Sequence, residues 1–396
     1  MTIDASEIVR EPTPMPVRVR QATLALTALG AILVIPAAIV DVHRFLTDWL
    51  AMFVILLTVG LGALFLVALE FVVNARWSVP LRRISEHMAA LVPVSLILAI
   101  PVVLGLGTLY QWTHADVVAL DDILRAKRAY LNVPFFMARF VVYFAVWIAA
   151  YWFFVGGSLR QDRNGDVALT RRAMRVAPAY MVAYAFTITF AAVDWIMSLM
   201  PHWYSTIFGA YVGMSAVVAG FAVTTLIAAQ LRLSGLLPRS IRSDHFYNLG
   251  AMLFAMNVFW AYLAFAQYML IWFGHLPAET SWFVPRGRGG WLWISLFQLA
   301  GHFGVPFFAL LSRAAKTNLR RLRWVSIWLL AAHALDMYWL IGPSVRTSRS
   351  AFSWNELGFL FLTVGIGMLV WVWRSSRAPL MPVRDPRLEA GLAFRL

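Results

Sequence analysis

Six ionisable side chains sit inside long apolar runs of this 396-residue chain: Glu70, Arg139, Asp194, His302, His333 and Asp336. An isolated charge in lipid costs about 2.5–3.5 kcal/mol on insertion scales, so each marks an ion pair or a working group. Carboxylates and imidazoles arranged in a file can pass protons, because histidine changes charge near neutral pH. Asp336 lies one turn beyond His333, and Tyr262, Gln267, Tyr268 and Gln298 add polar atoms on neighbouring runs. Two other uses of the same atoms stay open. Each group can simply hold helices together through a nearby carbonyl or hydroxyl. One b-type haem between His302 and His333 is also geometrically conceivable, whereas a two-haem arrangement needs four deep histidines and is excluded.

Asp194 lies roughly 9 Å, and Arg139 roughly 10 Å, inside the same edge of consecutive runs at 1.5 Å per residue. Matching depth predicts an Arg139–Asp194 ion pair, acting either as a clamp on helix register or as a charged gate that opens on protonation. Glu70 lies near the end of its run, one turn before Asn74 and close to Arg76. It either reaches water, pairs with arginine, or serves as the entrance carboxylate of a proton path. The candidate files are thus Glu70, Tyr184, Arg139 and Asp194 in one half, and Tyr268, His302, His333 and Asp336 in the other. Glu356, at the edge of the last run, reads as solvated.

The elements that must position these groups are ten apolar runs, at 21–40, 49–75, 88–110, 133–155, 176–199, 203–231, 249–273, 291–311, 324–341 and 354–373. With 61% hydrophobic and 13% charged residues, the composition is that of a membrane protein rather than a soluble domain. About 20 apolar residues cross a hydrocarbon core as a helix, and the runs are too long for barrel strands. The expected fold is all-α and integral to the membrane, with ten transmembrane helices. A short echo, DWIMSLMP ending span five and DMYWLIGP ending span nine, suggests two four-helix bundles (spans 2–5 and 6–9) flanked by spans 1 and 10. Residues 1–20 form an N-terminal arm, 21–373 the ten-helix domain and 374–396 a C-terminal tail, both ends reading as irregular segments lying on the cytoplasmic surface. The first run is too long for a signal-peptide core and remains as span one.

The net charge of +14 is distributed by topology. Twenty-four basic residues, from Arg10, Arg18 and Arg20 to the tail, fall on the side of the termini; eight, among them Arg125, Arg286, Arg346 and Arg349, fall on the other. That bias places both termini in the cytoplasm and removes the need for a nucleic-acid partner. The loop at 111–132 has the charge pattern of a short surface helix. The loop at 274–290 (GHLPAETSWFVPRGRGG) carries aromatics suited to the headgroup level or to a partner. Trp49, Trp203, Trp291, Trp324, Trp354 and Trp373 fall at span ends, as an aromatic belt requires. No cysteine is present, so this chain can hold no iron–sulfur cluster, covalent c-type haem or disulfide.

Four segments in order resemble the F subunit (ActF) family of bacterial alternative complex III, within the polysulfide-reductase membrane-subunit (NrfD-like) superfamily. They are AVDWIMSLMPHWYSTIFGAYVG (192–213), LFAMNVFWAYLAFAQYMLIWFGHLPAET (253–280), GHFGVPFFALLSR (301–313) and LDMYWLIGPS (335–344). The match covers spans five to nine closely and fits the ten-span layout. The resemblance implies a multi-pass subunit of a quinol:acceptor oxidoreductase in the bacterial inner membrane. It implies a homologous quinol-binding membrane subunit, and multihaem cytochrome c and iron–sulfur subunits, as partners beside lipid. It also implies no cofactor in this chain, and a candidate proton route coupled to quinol oxidation next door. Within the family the alternative role is a structural scaffold. Outside it, the competing class is a stand-alone secondary transporter, but Pro93, Pro101 and Pro306 form no matched pair of broken spans. Direct quinone binding between aromatic walls near Asp194 or Asp336 is a further option.

Overall fold

The computed structural model describes residues 11–345 and 352–396. Arg10 and the loop arginines Arg346 and Arg349 lie outside the described residues. Among the described residues, ten helices are long and apolar enough to cross a membrane: α1 (Val17–Val40), α2 (Val42–Val72), α3 (Val79–Leu104), α4 (Val133–Asn164), α5 (Val167–Leu199), α6 (Phe208–Leu233), α7 (Ser243–Gly274), α8 (Gly289–Ala309), α9 (Leu319–Val345) and α10 (Trp354–Ser375). The chain is a multi-pass membrane protein. Helices satisfy their own backbone groups, and local side chains set their ends. Asp41 caps α2 by accepting from the Arg44 amide, Asn132 caps α4 ahead of Pro134, and Gly165, at φ 70°, ends α4 in the left-handed conformation. Ser353 and Glu356 form a reciprocal capping box on α10.

The centre of the molecule is α2 against α6. In each, 83% of the apolar window is buried, against 22% for α1 and 28% for α10, which pair with each other on the outside. Glycine permits the central crossing: a Cβ on Gly62 would fall 1.8 Å from the Ala216 carbonyl oxygen, and one on Gly220 2.3 Å from Gly62 C. Close backbone approach at small residues is how membrane helices gain packing without a hydrophobic driving force. Helix α5, which carries Asp194, and α9, which carries Asp336, each pack on both α2 and α6. Both carboxylates therefore sit on helices that line the same central pair.

Helix α8 is not regular. A π-helical turn at Gln298–Gly304 carries Gln298 and His302, and Pro306 follows in the next turn. Such widened turns recur where a helix must re-aim side chains.

Several surface expectations are revised. The 111–132 loop contains two short helices, Ala115–Leu120 and Asp122–Lys127. In the 274–290 loop, Trp282 turns inward and stacks on Trp203 at 4.2 Å. Trp203 and Trp291 are likewise buried, so among the span-end tryptophans it is Trp324, Trp354 and Trp373 that face outward. Glu356 is not solvated but ion-paired with Arg44 at 2.7 Å. The C-terminal tail folds back against the helices, burying Leu380, Met381, Leu388 and Leu392. It meets the start of the described chain through the Pro12–Pro379 bridge and the Thr13 amide on the Ser375 carbonyl, so the described ends of the chain lie at one end of the molecule.

Candidate functional site

Three buried polar clusters occupy the helical core. The first forms where α4 and α5 approach the end opposite the termini. Arg139 donates from Nε to Asp194 Oδ2 and from Nη2 to Oδ1, both at 2.8 Å, a planar two-point match between guanidinium and carboxylate. Tyr143 donates to Asp194 Oδ2 at 2.7 Å, and Arg139 Nη1 donates to the Tyr130 carbonyl at 3.1 Å. The guanidinium lies over the Tyr130 and Phe135 rings at 3.8 and 4.3 Å. Every Asp194 oxygen is therefore partnered, as a carboxylate excluded from water requires. A cavity of about 430 Å³, lined by Lys127, Tyr130, Ser198 and Trp203 among others, adjoins the pair.

The second cluster joins four helices in one hydrogen-bonded chain. Thr58 on α2 meets His333 Nε2 at 2.9 Å, and His333 Nδ1 meets Ser215 Oγ on α6 at 2.9 Å. Ser215 donates to Asp336 Oδ2 at 3.1 Å, while Tyr211 donates to Oδ1 and Gln298 Nε2 donates to Oδ1 at 3.2 Å. His302 Nδ1 completes the chain against Gln298 Oε1 at 3.2 Å. The donors impose a direction. With the Ser215 hydroxyl given to Asp336, its oxygen accepts from His333 Nδ1–H, while Nε2 faces the Thr58 hydroxyl, whose single proton is shared with the Val54 carbonyl at 2.7 Å. All members except the half-buried Gln298 are buried, and His302 also stacks on the Trp260 ring at 3.7 Å. Both His333 nitrogens are engaged by hydroxyls.

The third cluster lies at the end bearing the termini. Glu70 Oε1 accepts from Arg82 Nη1 at 2.7 Å and from Arg387 Nη2 at 3.3 Å, and its Oε2 accepts from Ser78 at 2.8 Å. Arg82 continues to Asp385 at 2.7 Å and Glu86 at 2.9 Å, and Arg83 bridges Glu86 and Asp162. Burial alone would push the Asp385 carboxyl up, but the Arg82 and Arg387 guanidiniums hold it well below the usual carboxylate range. Glu70 is thus locked by arginines of α3 and the tail, while Arg76, its neighbour in sequence, is exposed.

Of the candidates, Arg139 pairs with Asp194, and His302, His333 and Asp336 share one network. Tyr184 instead donates to the Gly213 carbonyl at 3.0 Å, ten residues or about 15 Å of helix from Asp194. Tyr268 is 49% exposed and packs edge-on against Phe283, so it belongs to no file. Glu70 contacts neither Tyr184 nor Asp194 through any hydrogen bond among the described residues. Sequence reasoning missed Thr58, Tyr211 and Ser215. Tyr211 and Ser215 are four apart, hence on one face of α6, and that spacing was the available signal.

No protein-family model matches the chain, and no curated protein matches it.

Proposed function

We propose that this chain is a cofactor-free membrane subunit of a respiratory quinol:acceptor oxidoreductase of the alternative complex III kind, and that its buried clusters carry protons coupled to quinol oxidation in a homologous neighbour. Multihaem cytochrome c and iron–sulfur subunits would be the further partners, with both termini in the cytoplasm of a bacterial inner membrane and no role for nucleic acid. The ten helices would divide into two four-helix bundles, spans 2–5 and 6–9, joined along α2 and α6, with spans 1 and 10 flanking. Asp194 and Asp336 would be the equivalent carboxylates of the two halves.

The observation that carries this reading is the chain from Thr58 through His333, Ser215, Asp336 and Gln298 to His302. From Thr58 to Asp336 it alternates hydroxyls, which both donate and accept, with an imidazole and a carboxylate, which is what hopping of a proton needs; the Gln298 amide orients Asp336 and His302 without passing a proton itself. A brace between helices would be served as well by apolar packing, without the cost of drying five polar groups.

The test is Asp336→Asn in the complex purified from its own membranes and reconstituted in vesicles. Haem proteins should copurify with the chain, and quinol-driven proton release should fall about tenfold or more, in the range of losing a positioned proton carrier. A chain that leaves detergent without haem proteins is a transporter or other stand-alone protein. Unchanged proton release in the variant would leave only the scaffold role.

A further inference from the structure

Arg286 is the one arginine of the 274–290 loop that turns into the protein, where it is 1% exposed. Among the described residues no carboxylate lies within ion-pair distance of it. Its guanidinium is held by neutral groups: Nη1 donates to the Trp282 carbonyl at 2.7 Å, and Nη2 to the Leu340 carbonyl at 2.8 Å and Ser344 Oγ at 2.9 Å. Nη1 also reaches Met200 Sδ at 3.9 Å, the Trp282 ring lies at 3.3 Å, and Nε has no partner.

The placement is specific. Met200 is the next-to-last residue of DWIMSLMP and Leu340 belongs to DMYWLIGP, so one guanidinium sits between the far ends of both repeats of the echo. Leu340 is one turn beyond Asp336 on α9, about 6 Å along the axis toward the end opposite the termini. The loop is fixed there by the Trp203–Trp282 stack and by Trp203 Nε1 donating to the Glu279 carbonyl at 3.0 Å. A buried cation without a counter-ion is expensive, and a staple between loop and helices needs donors, not charge. The charge itself asks for a role.

We propose that Arg286 is a fixed electrostatic barrier that stops the Asp336 network from exchanging protons with the end opposite the termini. A proton leaving Asp336 in that direction must pass within a turn or two of a desolvated positive charge, where repulsion is far stronger than in water. The network then communicates through Thr58 and α2 instead, toward the other half of the protein. This rests on the proton-carrying reading above and adds the direction of traffic.

The test uses the complex reconstituted in liposomes that enclose a pH dye, with a potassium diffusion potential imposed by valinomycin. Wild-type vesicles should leak protons little above protein-free ones. Arg286→Gln, which keeps amide donors but removes charge, should raise the leak about tenfold. Ser344→Asp, which leaves Arg286 in place and neutralises it, should do the same, and Arg286→Lys should stay near wild type. Adding Asp336→Asn to either leaky variant should abolish the leak. No leak in either variant would overturn the barrier, while quinol-driven release that still depends on Asp336 would keep the proton-carrying reading intact. A leak that persists without Asp336 would assign it to a loosened loop and overturn the barrier as well. Failure of both variants to assemble would reduce the guanidinium to a folding element, and the barrier would fall with it.

Discussion

Arg139→Met is expected to destabilise the protein by about 3–5 kcal/mol, because it strands the Asp194 carboxylate in a site closed to water. Asp194 is 1% exposed, and both points of its contact with the guanidinium are lost at once. Tyr143 alone cannot replace them. The double variant Arg139→Met with Asp194→Leu should recover most of the loss, since a well-packed apolar pair often matches a buried ion pair. Thermal unfolding in detergent, together with the yield of assembled protein, reads both effects. If Arg139→Met melted like wild type, the pair would not be what holds α4 to α5.

Arg82→Met should be as damaging, again by about 3–5 kcal/mol, for a different reason. Its guanidinium is the shared partner of Glu70, Glu86 and Asp385, so its removal leaves Glu70 and Asp385 to Arg387 alone and Glu86 to Arg83. The C-terminal tail should come loose first, because Asp385 is its main anchor beside Arg387. The pH dependence follows from the sign of the Asp385 shift. Its carboxyl in the folded protein is held below the ordinary carboxylate range. Its contribution is therefore complete above that range and is lost as pH falls through and below it. Limited proteolysis of the tail should thus increase in acid, and Asp385→Asn should produce the same susceptibility at neutral pH. A tail equally protected in acid and in Asp385→Asn would show that its buried leucines, not its charges, hold it.

The number of spans and the depth of each charge are legible in the sequence, because both follow from counting residues at a fixed rise per residue. That is why Arg139 and Asp194 can be matched from the sequence by depth. Rotation about the helix axis is not legible. A helix in lipid is apolar on every face, so the amphipathic stripe that orients a helix in a soluble protein is missing. Depth alone assigns Tyr268 and Tyr184 to files, and rotation sends one to the surface and the other to a backbone carbonyl. Thr58 and Ser215 are invisible for a related reason. Hydroxyls in membrane helices commonly bond their own preceding turn, as Thr58 also does with the Val54 carbonyl at 2.7 Å, so they carry no signal of a shared network. Arg82, Asp385, Arg387 and Arg286 lie beyond or at the edges of the apolar runs, where charge reads as topology or solvated tail. Only tertiary folding buries them.

Infrared difference spectroscopy of the reconstituted complex during quinol turnover tests the proton-carrying role of the Asp336 network most directly. The expected result is a carboxylic C=O band that changes with turnover and disappears in Asp336→Asn. A spectrum in which Asp336 keeps one protonation state throughout turnover, with the same bands in wild type and variant, would contradict it.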